Sequence, residues 1–472
     1  MISRGRNPRR LAAVSVALLL TSSCSLIIGT ADSTTTAPAD PTTTATSPPP
    51  TTTNPLATTI PGSPYVPPEC AGTTITTLPL DDPPATTIPP SDLPMDRQLD
   101  LVTQLDELVR TVYFDPGLGS ADWDGSMAAL IEDVTAGIAT ADLYDRLHDL
   151  VDSLGDEHSR FETPEEVAEN DQQFSGDNDY VGIGIVAVTD DDDELVTIVA
   201  VFHGSPADHA GLQAHDSIVG VDGVPMGDDP GGRSSRLRGP ECSLVVMTIR
   251  SPGQEDRQVA AVRARVQGSV PIHAALVPTD DGRRVAYVLI PTFFDLTIDD
   301  QVRDALEDFG PLDGLIIDLR MNGGGSSLVA EPIMSLFVGG RLGDYISRDG
   351  TRTLTIRADP VHNTDTVPLA ILVGDHTESY GEVVAGLLSA REPAVVIGET
   401  TTGNVETLHG YPLPGGSMIW IAAEVFRPRA DPDADWERDG IIPDIEVAVE
   451  WQDFTFDTDP AIDAALAALP GG

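Results

Sequence analysis

The chain has no lysine. All 27 of its basic side chains are arginine, set against 75 acidic ones, for a formal net charge of −48. This absence excludes any mechanism built on a lysine base, a Schiff base or a phosphate-binding lysine. The acidic excess argues against nucleic acid or an anionic membrane surface as partner, because binding phosphate needs clustered cations. Cysteine is also scarce, limited to Cys24, Cys70 and Cys242. With no Cys/His group at metal-ligand spacing, a structural zinc site is not expected. Cys70 lies in a Pro/Thr tract and Cys242 in a strand-like run, so the two read as separate thiols. Long hydrophobic runs are missing too. The stretch Leu11–Leu20 is too short to span a bilayer permanently, and nothing else approaches membrane length. What remains is substantial: 472 residues at 40 % apolar content provide for real cores and about three domains.

The Leu11–Leu20 run follows Arg4, Arg6, Arg9 and Arg10 and precedes Thr21-Ser22-Ser23-Cys24, the layout of a secretory signal. Small residues before a cysteine resemble the bacterial lipobox, in which the cysteine becomes the lipidated first residue. Residues 1–23 therefore read as a lipoprotein signal peptide and Cys24 as the lipidation site. The expected location is the extracytoplasmic face of the cell membrane, reached through the lipid anchor only. An ordinary signal peptide would leave the protein secreted. Residues 24–92, rich in Thr, Pro, Ser and Ala, cannot bury enough apolar surface to offset chain entropy and read as a disordered stalk.

Residues 93–175 carry apolar positions at helical spacing. One series is Leu99, Leu101, Val102, Leu105, Leu108, Val109 and Val112; later ones run through Met127, Leu130, Ile131, Val134 and Ile138, and through Leu143, Leu147, Leu150, Val151 and Leu154. They predict a small helical unit ending at Gly155-Asp156-Glu157-His158-Ser159. From 176 to 268 short β-branched runs (Val181–Val188, Glu194–Val201, Ser217–Val221, Leu244–Arg250) predict a β-rich domain. From 269 to 450 strands and helices alternate, which predicts an α/β layer with a largely parallel sheet. Residues 451–472 are left as a C-terminal tail.

Two sets of motifs carry chemistry. Tyr180-Val181-Gly182-Ile183-Gly184-Ile185, with Gly204-Ser205-Pro206-Ala207 through Gly223 behind it, resembles a PDZ domain. That resemblance implies that Val181, Gly182, Ile183 and Gly184 hold the carboxylate of a peptide added as a strand to a sheet edge. The second set lies in the α/β region. Asp318-Leu319-Arg320-Met321-Asn322-Gly323-Gly324-Gly325 sits between strand and helix, where a glycine run serves either as a phosphate cradle or as an oxyanion hole. A phosphate cradle wants a lysine or a Gly-x-Gly-x-x-Gly spacing, and neither is present. Ser379 also stands between a strand and a helix, where hydrolases expose a nucleophile and where a plain helix cap would equally sit.

Together these features resemble the C-terminal-processing (tail-specific) serine peptidases over residues 95–450. The resemblance implies a multi-domain α/β fold: a small helical unit, a PDZ domain and a ClpP/crotonase-like protease core. It places Ser379 on the family nucleophile and Glu382 on the acidic residue that follows three positions later. Backbone N–H groups of Gly323, Gly324 and Tyr380 would form the oxyanion hole. The family's lysine position is Asn404, and the glutamine that supports that lysine is Leu408. The lysine-less, tricorn-like branch supplies another arrangement, in which His158 acts as base and Glu437 as the acid that orients it. His376, three residues before Ser379, is the competing base. The implied function is an exported serine endopeptidase acting on polypeptide C-terminal segments, with no metal or cofactor. The rivals are an inactive PDZ peptide-binding pseudoprotease and a lipid-anchored carrier of small hydrophobic ligands. An unperturbed histidine base would lose activity around pH 6–7.

The anchor makes the first prediction. Cys24→Ala should release the protein into the medium, and the intact mass of the native protein should begin at residue 24. Any other first residue would rule the anchor out.

Overall fold

The computed structural model describes residues 64–77, 92–119, 122–156, 158–167, 180–190, 195–226 and 235–470. The expected signal peptide, Cys24 and Glu157 lie outside these residues. Among the described residues, no helix is long and apolar enough to cross a membrane.

The helical periodicity is realised in Met95–Val112, Trp123–Ala136 and Thr140–Asp152. Their apolar positions, Leu101, Leu105, Val109, Leu130, Leu143 and Leu147 among them, form one buried cluster. The Asp122 side chain caps the second helix by accepting from the Gly125 amide, and Gly137, at φ 92°, ends it. This unit shares its core with Ile419, Ile421 and Ala422 of the long strand Met418–Pro428. Further along the same strand, Phe426 belongs to the core of the α/β layer. One strand thus fastens the helical unit to the rest. Arg160–Glu162 pairs with it antiparallel, opposite Trp420, Ile419 and Met418.

The α/β layer is a six-stranded sheet in the order His273–Val277, Val285–Leu289, Gly314–Asp318, Leu369–Val373, Ala394–Gly398, Ile445–Glu446. The first pair is antiparallel and the others parallel. Its three central strands are buried along their whole length, so they read as continuous apolar runs. Alternate residues face two separate cores. Helices Ile298–Phe309, Ser327–Ser335 and Tyr380–Ser389 cover one face. Trp451, Phe454 and helix Pro460–Ala468 cover the other.

Residues 451–470 are therefore no tail. Arg320, buried at the end of its strand, pairs with Asp318 at 2.6 Å and with Asp459 at 2.5 Å, and its guanidinium lies over the rings of Trp451 and Phe454. Buried acids on both sides of one arginine bind the C-terminal segment to the sheet. The alternating small and apolar residues of Pro460–Ala468 gave no such signal in sequence. The hairpin Gly340–Ser347 and Gly350–Ile356 was also not anticipated, because half of each strand faces solvent.

The β-rich domain is an antiparallel sheet, Ile185–Asp190, Leu195–Val201, Ser217–Val221, Leu244–Arg250, Arg257–Val262, with Ile185–Asp190 at its edge. The expected strand Val181–Val188 is broken at Ile183–Gly184. Tyr180–Gly182 pairs instead with Ala264–Val266. Gly184, at φ +84°, permits the break: a Cβ there would come within 2.3 Å of Ser205 Cβ.

Two expectations need correction near the N-terminus. Cys70 and Cys242 form a disulfide, with Cα atoms 5.4 Å apart. Segment 64–77, read as part of the stalk, packs on the PDZ-like domain. The Tyr65 ring stacks on His209 at 3.7 Å, and the Thr76 carbonyl accepts from the Leu244 amide at 3.0 Å. A separation of 172 residues hid the pairing. Only the tertiary approach of the segment to the start of strand Leu244–Arg250 reveals it. Closing so long a loop restricts the unfolded chain, a contribution typically of about 2–4 kcal/mol.

Candidate active site

The buried strand Leu369–Val373 delivers the chain to a tight turn ahead of helix Tyr380–Ser389. Thr377, fully buried, shapes the turn: its hydroxyl donates to the Leu319 carbonyl at 2.8 Å and accepts from the Gly374 amide at 3.0 Å. The Glu378 amide donates to the Asn322 carbonyl at 3.0 Å. Ser379 emerges half-buried at φ 52°, ψ −122°, a conformation that costs a non-glycine residue on the order of 1–3 kcal/mol. Ser379 and Glu382 also form a capping box at the start of the helix, so the serine caps its helix while held in this strained conformation.

The glycine turn lies directly against it. Asn322 holds this turn by donating from Nδ2 to the Ile290 carbonyl and accepting the Gly324 amide at Oδ1, both at 2.9 Å. Gly324 is at φ +84°, and a Cβ there would sit 2.7 Å from Ser379 Cβ and 3.1 Å from the Tyr380 nitrogen. The expectation for Gly324 is thereby corrected. Its N–H is engaged by Asn322, and its contribution is to leave room for the serine. Two expected donors remain: the amide of Gly323, which is exposed on the turn, and that of Tyr380. Tyr380 opens its helix, where an amide has no intrahelical acceptor. Its ring is held by a 3.0 Å contact between its hydroxyl and that of Tyr345.

Glu382 connects this nucleophile to the loop that follows strand Ala394–Gly398. Fully buried, its carboxylate accepts from the amides of Ser379 at 3.2 Å, Gly403 at 2.8 Å and Asn404 at 2.8 Å, and from the Thr401 hydroxyl. Burial pushes its pKa up, and those donors pull it back. Asn404 thus occupies the lysine position with its amide on Glu382 and its Oδ1 buried without a partner.

His158 reaches the site from the helical unit. Asp156 folds the turn, with Oδ1 accepting the His158 and Ser159 amides at 3.0 and 2.7 Å and Oδ2 accepting the Ser159 hydroxyl. The Ser159 hydroxyl in turn accepts the Ala422 amide at 3.0 Å, tying the turn to the long strand. The imidazole is buried, faces the main-chain carbonyl of Glu406, and leaves Nδ1 without a partner. Burial lowers its pKa to about 4, so it is neutral at pH 7.

Glu437 stands near but does not touch the ring. Its Oε2 accepts the amides of Val405 at 2.7 Å and Glu406 at 3.2 Å. Burial, followed by the nearby Glu382 and Asp156 carboxylates, raises its pKa to about 7. Expected to orient the imidazole, Glu437 makes no direct bond to it among the described residues and instead holds the loop whose Glu406 carbonyl faces His158. Among the described residues, no hydrogen bond joins Ser379 to His158 or His158 to Glu437. Instead Glu437 and His158 meet on residues 405–406, and Glu382, which holds the Ser379 amide, meets residues 401–404. His376, the competing base, lines a different cavity with Met321, Val373, Glu399 and Trp451.

Sequence reasoning missed Glu406. It is 3 % exposed, its Oε2 has no partner, and burial together with Glu437, Asp156 and Asp435 raises its pKa to about 9. A lone Glu beside Val405 resembles any solvent-facing residue, and only the fold turns it inward.

In the β-rich domain, Val181 and Gly182 pair with Arg265 and Ala264. The Ile183 carbonyl accepts from Ala207, and the Gly184 carbonyl from Phe202 and the Ser205 hydroxyl. The loop carbonyls are therefore satisfied from behind, next to the open edge strand.

Known proteins resemble the chain on the same lines. Residues 284–447 match the model of Peptidase family S41, and residues 172–228 match that of the PDZ domain. A carboxyl-terminal-processing protease of Synechocystis sp. is 28 % identical over 391 residues, 81 % of this chain and 89 % of that protein. The chloroplastic carboxyl-terminal-processing peptidase 3 of Arabidopsis thaliana is 26 % identical over 353 residues, covering 72 % and 67 %. Among solved structures, a photosystem II D1 C-terminal processing protease shares the fold at TM-score 0.55 and 23 % identity, covering 79 % of this chain and 97 % of its own.

Gly324→Ala, whose Cβ would press on Ser379 Cβ and the backbone at Glu378 and Tyr380, should lose on the order of 10²-fold in kcat through displacement of Ser379. Hydrolysis at the wild-type rate, measured on a peptide substrate with folding checked by circular dichroism, would show that the glycine does not position the serine.

Proposed function

We propose that this chain, a serine-type peptidase of family S41 carrying a PDZ domain, is an exported, lipid-anchored endopeptidase that cleaves polypeptides without the lysine base. Ser379 Oγ attacks the peptide carbonyl carbon and gives its proton to the neutral imidazole of His158, which returns it to the leaving amine. The Gly323 and Tyr380 amides stabilise the tetrahedral oxyanion. Glu437, acting through the 405–406 amides, sets the carbonyl that orients the ring. Water then hydrolyses the acyl-enzyme by the same route. The PDZ domain takes the substrate's free C-terminus on the edge strand Ile185–Asp190, its carboxylate at Val181–Gly184.

One observation carries this reading. Residues 401–406, which include the place of the absent lysine, meet Glu382 from the serine helix, Glu437, and the imidazole of His158. The carbonyl facing the ring and the lowered pKa both suit a base that is neutral at pH 7.

The pH dependence differs from that of an unperturbed histidine. His158 charges only near pH 4, whereas Glu437 protonates below about 7 and then ceases to be the anion that holds the loop. On an unfolded protein substrate, kcat/KM should therefore fall as pH drops through about 7, and Glu437→Gln should lack that limb. His158→Ala should cost on the order of 10²–10⁴-fold, and His376→Ala little. Amidating the substrate C-terminus should raise KM. Full activity in His158→Ala with loss in His376→Ala would reverse the base assignment. Inactivity of the wild type on every substrate would favour the pseudoprotease.

A further inference from the structure

We propose that Glu406 positions His158 and does so as an undissociated carboxylic acid. The inference rests on the reading of His158 as the base for Ser379.

The geometry comes first. Glu406 contributes two groups to the cluster: a main-chain carbonyl that faces the imidazole and a buried carboxyl whose Oε2 has no partner. A carbonyl facing a histidine ring accepts from the nitrogen that carries the proton and so fixes the tautomer. Whatever holds Glu406 in place therefore sets the state of the base. Its amide is held by Glu437. An ionised carboxyl here would be a buried anion whose Oε2 meets no donor, which a protonated one is not.

The charges around it point the same way. Facing Glu406 are Glu437 and Asp435 from the 435–439 turn, Asp156 and His158 from the turn after the third helix, and Tyr113 from the end of the first. Glu382 lies behind Glu437. The nearby arginines are already engaged: Arg427 pairs with Asp435, and Arg160 with Glu162. Burial and the three acids hold Glu406 up at about 9. Ionisation above that would set an unpaired buried anion against Glu437 and Asp156 and drive the 404–406 segment away from the imidazole.

The test uses the full chain with Glu406→Gln, a permanently neutral isostere, and Glu406→Ala. At pH 8 the infrared spectrum of the wild type should contain the C=O stretch of an undissociated carboxyl that is missing from Glu406→Gln. In hydrolysis, Glu406→Gln should keep kcat/KM within about threefold and lose the fall in rate near pH 9. Glu406→Ala should lose on the order of 10²-fold, in kcat with KM unchanged, the size expected when a base is misplaced. Absence of the infrared difference would overturn the proposal whatever the activity. So would Glu406→Gln being as impaired as Glu406→Ala, or an alkaline fall unchanged in Glu406→Gln. Failure of the underlying reading is seen separately, as activity that survives His158→Ala.

Discussion

A single buried carboxylate, Glu382, fixes the helix that begins at Ser379 to the loop at the vacant lysine position. An isolated carboxylate buried this completely would be prohibitive. Here amides from Ser379, Gly403 and Asn404 and the Thr401 hydroxyl satisfy it. The same bonds hold Ser379 in its strained conformation, and the strained serine requires Gly324 beside it, since no side chain fits there. From loop 401–404 the chain continues to Val405 and Glu406, where Glu437 and His158 converge. The geometry of the site thus descends from one acid and its hydrogen bonds.

The site is built from acids around a neutral ring, and the arginines near it, Arg160 and Arg427, are paired with Glu162 and Asp435. Glu382, Glu406, Glu437 and Asp156 cluster where lysine-bearing relatives of this design would carry a positive charge. Hydrogen bonding and retained protons replace that charge: Glu382 is satisfied by donors, and Glu437 and Glu406 are raised to about 7 and about 9. Arginine is spent on architecture. Arg320, in the Asp-Leu-Arg run, binds the C-terminal segment through Asp459. That segment seats the PDZ domain in turn: the Trp451 carbonyl contacts His215 Nδ1 at 2.8 Å, and its indole donates to the Ile198 carbonyl at 3.2 Å.

Much of this was legible in the sequence, wherever a local rule governs. Leu101, Leu105 and Val109 announced a helix by their spacing, and the apolar run at Leu369–Val373 a buried strand. The turn before Ser379 followed from strand–helix punctuation, and the role expected of the serine from the family resemblance. The absent lysine, a matter of composition alone, set the chemical question. What escaped depends on residues far apart in the chain. The Cys70–Cys242 bond, the burial of Trp451 and Phe454, and the bond from Gly324 to Asn322 all require the fold. Glu406 is the clearest case, since its raised pKa comes from burial and then from Glu437 and Asp156, and the fold alone brings these about.

The central claim is that Ser379 is a working nucleophile activated without lysine. Labelling the purified protein with a fluorophosphonate and mapping the adduct by peptide mass spectrometry tests it most directly. The account predicts one adduct, on Ser379, whose rate of formation drops sharply in His158→Ala. An unlabelled wild type, or an adduct on any other residue, would contradict it.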